Sequence, residues 1–218
     1  MKALVTGASG GIGSAVAQKF LSCGYEVVGE DVLPATISHP NYSHIVCDVT
    51  GDLPEVTDVA VLVTAAGVQS DNEDAIDVNL KGVIRTVEKY AFTPAIRAVV
   101  NVASASATNG AEFPTYSASK GGVVTYTKNA ALRLAPYGAT ANSLSPGGVM
   151  TSSNAPVIQD PALFKEALAE SLLGKWAEPQ EIAEWVYFLA AVNRSMTGQD
   201  LLVDNGEMLK SNFVWPTI

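Results

Sequence analysis

Short apolar runs alternate along this chain with stretches of helical periodicity, beginning at its first residues. Residues 3–6 form a run closed by glycines, as expected of a strand buried on both faces. After that run Ile12, Val16 and Phe20 recur at helical spacing, and Gly24 ends the pattern. Further strands are predicted at residues 26–31, 44–48, 59–65, 98–104, 139–145 and 201–204. Further helices are predicted at about residues 72–92, 115–137, 161–172 and 179–191.

This alternation of strands and helices predicts an α/β fold, a doubly wound parallel sheet of the Rossmann type with helices on both faces. A chain of 218 residues has room for one domain of ordinary size, so residues 1–218 are expected to form a single domain. The connection across residues 50–58 is short for a helix and contains Pro54. A turn or a single helical turn is therefore expected there.

The composition excludes several classes of protein. Hydrophobic residues make up 48% of the chain and charged residues only 16%, yet no apolar run approaches 18 residues, which argues against both a membrane span and disorder. The net charge of −9 disfavours nucleic acid and anionic lipid as partners, because phosphate binding needs stripes of Lys and Arg. The first residues lack the pattern of a signal peptide, so the cytoplasm is expected.

Cysteine and histidine offer little material for chemistry. Cys23 and Cys47 have no CxxC spacing and stand among apolar residues, which predicts two buried, reduced thiols. His39 and His44 are the two histidines of the chain. A metal site built from histidines, or a catalytic triad, is therefore not expected.

A glycine-rich loop, T-G-A-S-G-G-I-G at residues 6–13, joins the first predicted strand to the first predicted helix. Glycines at this place let the backbone turn sharply and approach a pyrophosphate. The helix that follows offers free N–H groups and the positive end of its dipole to the phosphates. The position between a buried strand and an amphipathic helix favours nucleotide binding over a plain tight turn.

A competing interpretation exists for the same loop. Residues 7–11 also match the G-x-S-x-G nucleophile elbow of hydrolases, again between a strand and a helix. That mechanism needs an acid and then a histidine later in the chain. Both His39 and His44 precede most of the predicted sheet, so the hydrolase is disfavoured.

Two carboxylates end the second predicted strand. Glu30 and Asp31 follow the loop by about 20 residues, where a carboxylate can accept hydrogen bonds from the adenosine ribose of a dinucleotide. Successive strand residues point to opposite faces, so one of the pair is expected to reach the ribose, and we choose Asp31 as the nearer to the strand end. A carboxylate there would repel a 2′-phosphate, which favours NAD over NADP.

A tyrosine and a lysine stand one helical turn apart. Tyr116 and Lys120 occupy positions i and i+4 at the start of a predicted helix and share one face. A phenol with an ordinary pKa near 10 is a poor acid–base catalyst at neutral pH, and a nearby ammonium favours its ionised form. The pair can therefore pass a proton to or from a substrate oxygen. Alone, Y-x-x-x-K is common by chance.

These features occur together and in a consistent order. The set comprises T-G-x-x-x-G-x-G in the loop, Asp-Val at 48–49, A-A-G at 65–67, N-L-K-G at 79–82, Ser104, Y-x-x-x-K and P-G-G-V-M-T at 146–151. In this combination the chain resembles the short-chain dehydrogenase/reductase family from residue 1 to about 207. The resemblance implies an NAD(P)-dependent oxidoreductase on a Rossmann fold.

The resemblance also implies roles for individual residues. Tyr116 would be the acid–base residue, Ser104 would bind the substrate oxygen, and Asn79 would hold a water in the proton path. Lys120 would bind the nicotinamide ribose while lowering the pKa of Tyr116. The expected cofactor-binding residues are Gly7, Ser9, Gly11, Ile12, Gly13, Asp31, Asp48, Val49, Ala66, Gly67, Tyr116, Lys120, Pro146, Gly147, Val149 and Thr151. Of these, Asp48 and Val49 would bracket the adenine, and Val149 and Thr151 would hold the carboxamide.

Three departures from the family pattern stand out. Thr64 and Ala65 replace two asparagines that usually lie below the cofactor. The usual Ser-Ser appears as Ala103-Ser104-Ala105-Ser106. Ser104 is preferred by its spacing from Asn101, and Ser106, which would share its strand face if the strand continued, is the second choice. The short connections at 50–58 and 67–79 indicate a trimmed version of the fold.

The segment at residues 151–175 is where this family usually covers its substrate. It contains no arginine, so a clamp for a small carboxylate or phosphate is not evident. Phe113, Met150 and Phe164 are expected pocket walls, although apolar residues of a lid can also simply pack it. The expected reaction interconverts a ketone or other carbonyl with a secondary alcohol. A 3-oxoacyl-thioester reductase acting on acyl-carrier protein or CoA, and a nucleotide-sensing regulator, are the alternatives.

The shortage of charge suggests an assembly. The helix predicted at 115–137 carries only Lys120, Lys128 and Arg133 as charges, and Lys120 is assigned to the active site. Such a surface would be costly to leave in water, so a homodimer or homotetramer is expected. The tail at residues 212–218 is also apolar and is expected to pack on this chain or on a partner.

Overall fold

A parallel sheet forms the centre of the fold, as the alternation of strands and helices predicts. The structure, a computed structural model, describes residues 1–111 and 113–209. Seven strands pair in these residues, in the order β3-β2-β1-β4-β5-β6-β7, and every pairing is parallel. They are β1 (Lys2–Thr6), β2 (Glu26–Asp31), β3 (Tyr42–Val46), β4 (Val59–Thr64), β5 (Ala98–Val102), β6 (Thr140–Pro146) and β7 (Asp200–Val203). The order reverses between β1 and β4, which opens a crevice at the carboxyl ends of the strands.

Helices cover both faces of this sheet. They are α1 (Gly11–Ser22), α2 (Asp74–Ile76), α3 (Val83–Tyr90), α4 (Ser106–Asn109), α5 (Pro114–Leu134), α6 (Ala155–Ile158), α7 (Pro161–Ala169) and α8 (Pro179–Tyr187). Two π-helical segments, Asp77–Gly82 and Phe188–Val192, continue α2 and α8. Short 3₁₀ turns lie at Ala135–Tyr137, Ser152–Asn154 and Glu207–Leu209.

The first strand separates two hydrophobic cores. Ala3 and Val5 pack with α1 and α8 on one face, and Leu4 packs with α3 and α5 on the other; all three are fully buried. The continuous apolar run is therefore a strand buried on both faces, as predicted, because its side chains alternate between two covered surfaces.

The shortened connection at residues 50–58 contains turns and extended chain but no helix, in agreement with the prediction. Leu53 and Val56 pack against the core that includes α3. These two side chains therefore cover part of the sheet face that a crossover helix would cover. The preceding strand, β3, begins and ends two residues earlier than predicted. Its end is set by Asp48, whose carboxylate accepts hydrogen bonds from the N–H and the hydroxyl of Thr50, both at 2.8 Å, and so forms a turn.

The helix predicted at 72–92 is real but not uniform. It consists of α2, the π-helical segment Asp77–Gly82 and α3, so one turn in its middle is wider than an α-helical turn. Apolar periodicity does not reveal this turn, because one wider turn shifts the repeat by only one residue. A π-turn inside a helix is often found at a functional position.

The prediction that both cysteines are buried is wrong. Cys23 is exposed, because it follows the last residue of α1 at the surface end of that helix, and Cys47 is half-buried. Both thiols are free. No helix in the described ranges is long and apolar enough to cross a membrane. The prediction for the tail at 212–218 lies outside the described residues.

Candidate active site

The predicted site residues gather at one edge of the sheet. They follow the carboxyl ends of β1 (the glycine loop), β2 (Asp31), β4 (Ala66 and Gly67), β5 (Ser104) and β6 (residues 146–151). In parallel sheets these ends meet on one side, beside the point where the strand order reverses. Local sequence thus supplies residues from five separate loops to a single crevice.

The glycine loop approaches its neighbours too closely for side chains. Gly7 has φ +69°, and a Cβ there would lie 2.6 Å from the backbone nitrogen of Ala66. A Cβ on Gly13 would overlap the carbonyl oxygen of Gly7. Gly10 caps the start of α1 without a side-chain hydrogen bond, so the helix presents its first N–H groups toward the crevice. The loop therefore has the shape of a phosphate cradle.

The two acidic residues at the end of β2 have different environments. Asp31 is half-buried at the mouth of the crevice, and its Oδ2 accepts a hydrogen bond of 2.9 Å from the backbone N–H of Ser9. Glu30 is 1% exposed and points to the opposite face. Its Oε1 lies 2.8 Å from the hydroxyl of Tyr90. Burial raises the pKa of Glu30, although the hydrogen bond from Tyr90 partly opposes that rise.

At the next strand end, Asp48 is exposed and Val49 is buried. Val49 packs against Gly82, where a Cβ would lie 2.7 Å from its Cγ2. A cavity of about 480 Å³ opens beside Asp48 and is lined also by Thr50, Asp77, Lys81 and Arg85, among others. A base placed against Val49 would therefore have an apolar floor and a polar, open outer edge.

Tyr116 and Lys120 lie on successive turns of α5. Pro114 is the first residue of this helix, a position that suits proline because its missing N–H would have no helical partner there. The Nζ of Lys120 lies 5.7 Å from the centroid of the Tyr116 ring. Lys120 is only 5% exposed, and its Nζ donates a hydrogen bond of 3.0 Å to the carbonyl of Val102, at the end of β5. This bond fixes a buried cation beside the ring.

Ser104 and Ser106 are both buried and form a pair. The hydroxyl of Ser106 lies 2.9 Å from that of Ser104, and its backbone N–H also donates to Ser104 at 3.2 Å. They would share a strand face only if the strand continued, and it does not, because β5 ends at Val102 and Ser106 begins α4. The helical turn brings Ser106 back to Ser104, so the two hydroxyls meet by a different route.

Asn79 lies inside the π-helical segment and is fully buried. Its side chain bonds both backbone groups of Val68, accepting from the N–H and donating to the carbonyl at 2.8 Å each. It also donates to Ser119 at 3.1 Å, and Ser119 donates to the carbonyl of Tyr116 at 2.6 Å. Asn79 thus connects the loop after β4 with the start of α5, through a serine that the sequence analysis did not single out.

The departure at Thr64 has a local explanation. Its hydroxyl donates to the Oδ1 of Asn101 at 2.8 Å, and the amide of Asn101 donates to the hydroxyl of Thr127 at 2.9 Å. All three residues are buried. The substitution therefore leaves a complete chain of hydrogen bonds from β4 through β5 to α5. The backbone N–H groups of Ala65 and Ala66 face the hydroxyl of Thr6 at 3.2 and 3.3 Å.

The loop at residues 146–151 closes the crevice from the β6 side. Pro146 accepts a hydrogen bond of 2.8 Å from the N–H of Ala105, and Val149 is buried. A Cβ on Gly11 would lie only 2.6 Å from the methyl carbon of Thr151, which is too close for two carbon atoms. Thr151 and the start of α1 are therefore in contact, which places the expected nicotinamide and pyrophosphate regions side by side.

The residues expected to wall a substrate pocket have different surroundings. Phe113 is 45% exposed just before α5. Met150 is half-buried, with its N–H bonded to Ala177 at 2.9 Å. Phe164 packs edge-on against Trp176, with the ring centroids 5.4 Å apart. Trp176, which the sequence analysis missed, thus joins α7 to the loop after it, and Phe164 packs the lid itself.

Comparisons with known proteins agree with this geometry. A family model described as Enoyl-(Acyl carrier protein) reductase matches residues 64–207. The chain is 31% identical to the 3-oxoacyl-[acyl-carrier-protein] reductase FabG of Rickettsia bellii, across 95% of this chain and 96% of that protein. It is 33% identical to glucose 1-dehydrogenase of Gluconobacter oxydans, across 97% of this chain and 93% of that one.

Solved structures share the whole architecture. The ligand-free aldohexose dehydrogenase of Thermoplasma acidophilum superposes with a TM-score of 0.86 at 28% identity, covering 99% of this chain and 97% of that one. A protein of Agrobacterium tumefaciens solved with bound NADP superposes with a TM-score of 0.85 at 27% identity, covering 96% of each chain. Together with the matched family model and the relatives above 30% identity, these similarities show that the chain belongs to the short-chain dehydrogenase/reductase family of oxidoreductases.

Proposed function

We propose that this NAD(P)-dependent oxidoreductase interconverts a ketone or other carbonyl with a secondary alcohol, using Tyr116 as the acid–base residue. One observation carries the proposal. The buried ammonium of Lys120 lies 5.7 Å from the centroid of the Tyr116 ring and is fixed by the carbonyl of Val102. A cation held at that place favours the phenolate over the phenol, which is what a tyrosine needs to exchange protons near neutral pH.

In the direction of reduction the carbonyl group receives one hydride and one proton. The nicotinamide, when bound, supplies the hydride that goes to the carbonyl carbon. The Tyr116 hydroxyl gives its proton to the carbonyl oxygen, so the product is the alcohol and the tyrosine is left as a phenolate facing Lys120. The Ser104 hydroxyl donates a hydrogen bond to the same oxygen and stabilises the charge that develops there. In the direction of oxidation each transfer runs backward.

Asn79 and Ser106 support this machinery in the proposal. The side-chain amide of Asn79 has both of its donors engaged, with Val68 and Ser119, so its main contribution is to hold the start of α5 in place. In the proposal Asn79 also holds the water that returns a proton to Tyr116, because its Oδ1 accepts one bond, from Val68, and keeps a second lone pair. Ser106 bonds to Ser104 and orients its hydroxyl.

The residues present fit a nicotinamide dinucleotide. The glycines let the loop pack against the backbone of Ala65 and Ala66 where a Cβ would clash, and the first turn of α1 offers N–H groups for the pyrophosphate. We propose NAD as the preferred cofactor, because the Asp31 carboxylate stands at the ribose end, bonded to Ser9. A protein of the same fold was solved with bound NADP, so the fold alone does not determine the cofactor. The proposed preference for NAD therefore rests on Asp31.

The cofactor would lie along residues at the ends of β1, β2, β3, β4 and β6 and along the start of α5. In the proposal the pyrophosphate contacts the residues that line the glycine loop, namely Gly7, Ser9, Gly11, Ile12 and Gly13. The adenosine lies against a second set, namely Asp31, Asp48, Val49, Ala66 and Gly67. The nicotinamide half meets a third set, namely Tyr116, Lys120, Pro146, Gly147, Val149 and Thr151.

The proposed substrate class rests on the lid at residues 151–175. We place this lid and the cofactor site in one domain that spans residues 1–218. Leu163 and Leu172 in this segment are 43% and 58% exposed, which suits an apolar substrate surface. The similarity to acyl-carrier-protein reductases keeps a 3-oxoacyl thioester as the second candidate. Asp31 and the net charge of −9 disfavour this second candidate, because carrier proteins are acidic and an acidic protein repels them. A nucleotide sensor is disfavoured, since sensing needs no Tyr116–Lys120 pair.

A homodimer or homotetramer is part of the proposal. Arg133 pairs with Glu88 and stacks on Phe92 within the chain, so it does not add charge to the outer side of α5. Leu132 on that helix is 77% exposed, and Trp185 on α8 is 45% exposed. Light scattering at micromolar concentration should give at least twice the mass of one chain.

The free, exposed Cys23 thiol suits a reducing compartment such as the cytoplasm.

The function is tested with a panel of ketones and secondary alcohols, each followed by the absorbance of NADH and NADPH. Several carbonyl compounds of the apolar class should be reduced, and turnover should be lost in Tyr116→Phe while NADH still binds. A chain that reduces thioesters and no free ketone would favour the second candidate. A chain that binds the cofactor and turns over no member of either class would favour the sensor.

A further inference from the structure

We propose that Glu207 is a positioning residue for the loop at residues 146–151, an inference that rests on the proposed function of that loop in holding the nicotinamide. Glu207 lies in the turn after β7, far from the residues of the family motifs in the sequence. Its carboxylate accepts a hydrogen bond from the backbone N–H of Gly148, with 3.0 Å to Oε1 and 3.4 Å to Oε2. Bonds from an N–H to a charged acceptor are stronger than those between neutral groups.

The fit between Glu207 and the loop is close. A Cβ on Gly147 would lie 2.5 Å from the Oε2 of Glu207, and a Cβ on Gly148 would overlap the ring of Trp176. The two glycines of the P-G-G segment are therefore enclosed between a carboxylate on one side and an indole on the other. Val149 and Thr151 follow directly, and a bridge between Val149 and Ala177 holds the same segment from the lid side.

The turn that carries Glu207 is itself well fixed. The Asp204 carboxylate accepts from the backbone N–H groups of Gly206 at 3.0 Å and Met208 at 2.8 Å. The N–H of Glu207 donates to the carbonyl of Asp204 at 3.1 Å, and the N–H of Gly147 donates to the carbonyl of Val203 at 3.0 Å. Glu207 is thus presented by a rigid turn that already pairs with the loop it contacts.

The same turn also holds the end of the lid. The carbonyl of Asn205 accepts hydrogen bonds of 3.1 Å from the N–H of Leu173 and from the hydroxyl of Ser171. Trp176 lies against Gly148 and packs edge-on with Phe164 of α7. One turn therefore connects the nicotinamide-binding loop with the substrate lid, and Glu207 is its side-chain contact with the loop.

The test compares two ligands that differ in the nicotinamide. NADH and ADP-ribose are titrated into the wild-type chain and into Glu207→Ala, with Glu166→Ala, an exposed glutamate of α7, as the control. ADP-ribose has the adenosine and pyrophosphate but lacks the nicotinamide ring. We expect the Kd for NADH to rise about tenfold in Glu207→Ala, in line with the loss of one hydrogen bond to a charged group, while the Kd for ADP-ribose stays within about twofold. Glu207→Gln, which keeps an acceptor oxygen, should recover most of the affinity.

Other results of these titrations would contradict the role proposed for Glu207. Equal weakening of both ligands would show that Glu207 acts on the fold as a whole, and unchanged NADH binding in Glu207→Ala would show that it does not position the loop. A wild-type chain that binds neither ligand would overturn the proposed function, and this inference with it. If Glu207→Ala does not fold, Glu207→Asp withdraws the acceptor by one methylene and should show the same selective loss for NADH.

Discussion

The carboxylate of Asp31 accepts a hydrogen bond from the backbone N–H of Ser9, with 2.9 Å between the nitrogen and Oδ2. Its other oxygen accepts from the N–H of Leu33, also at 2.9 Å. These bonds leave lone pairs on both oxygens for a ribose diol while holding the negative charge at the mouth of the glycine loop. The end of β2 and the phosphate cradle therefore form one unit.

Asp31 should set the choice between the two cofactors. The wild-type chain is expected to bind NADH at least about tenfold more tightly than NADPH, because a fixed carboxylate and a 2′-phosphate repel each other. In Asp31→Ser the difference should fall to about threefold or less. Fluorescence titration of both cofactors measures it, with Asp52→Ala, an exposed acid of the 50–58 connection, as the control. Tighter binding of NADPH by the wild-type chain would contradict the role given to Asp31.

Removing the Tyr116 hydroxyl should abolish proton transfer and leave the cofactor site intact. We expect kcat of Tyr116→Phe to fall by about 10²-fold or more, the usual range for losing a general acid, with Kd for NADH within about threefold. Tyr126→Phe is a matched control on the same helix, since that hydroxyl bonds to Glu88 at 2.9 Å and lies away from the crevice. Activity of Tyr116→Phe near the wild-type value would end the proposed mechanism.

Ser104 and Ser106 should contribute unequally to kcat. Ser104→Ala is expected to lower kcat by about 10²-fold, because it removes a donor to the developing charge on the substrate oxygen. Ser106→Ala should cost about tenfold or less, since in the structure Ser106 acts on Ser104 across 2.9 Å. Steady-state kinetics of both variants and of the double variant separate the roles. A larger loss in Ser106→Ala than in Ser104→Ala would reverse the assignment.

The sequence predicted the parts of the site that depend on local pattern. Buried strands show as apolar runs, and the residues just after them, such as Asp31 and Ser104, fall at the crevice because parallel strands end on the same side. Contacts between distant segments carry no such pattern. Glu207 meets Gly148 across 59 positions, and nothing around either residue in the sequence relates them. The π-turn at Asn79 was missed because a single wider turn shifts the apolar repeat by only one residue within a helix that is otherwise α-helical.

Glu30 shows how a neighbouring residue can look equivalent in sequence and differ in chemistry. The oxygen of the Tyr90 hydroxyl lies 2.8 Å from both the Oε1 of Glu30 and the carbonyl of Pro54. A hydroxyl has one proton, so Tyr90 shares it between two acceptors and gives neither of them a full hydrogen bond. The second oxygen of Glu30 is buried and accepts no hydrogen bond of good geometry among the described residues, and the Cys47 thiol beside the carboxyl is neutral, because burial raises its pKa to about 11. This arrangement favours the neutral acid.

The stability of the protein should therefore depend on pH through Glu30. Burial raises its pKa above the ordinary value of 4.5, so between that value and the raised one the folded chain keeps a proton that the unfolded chain has lost. Stability contributed by this proton is complete below about 4.5 and is lost as the pH rises through the folded-state pKa. Glu30→Gln, which stays neutral, should therefore gain stability relative to the wild type as the pH rises above 4.5, and the gain should level off once Glu30 is ionised in the folded state. Urea unfolding of both chains between about pH 4 and 9 measures this, with Glu26→Gln at the exposed start of β2 as the control. A difference between Glu30→Gln and wild type that stays flat or shrinks with rising pH would show that the carboxyl is charged in the folded protein.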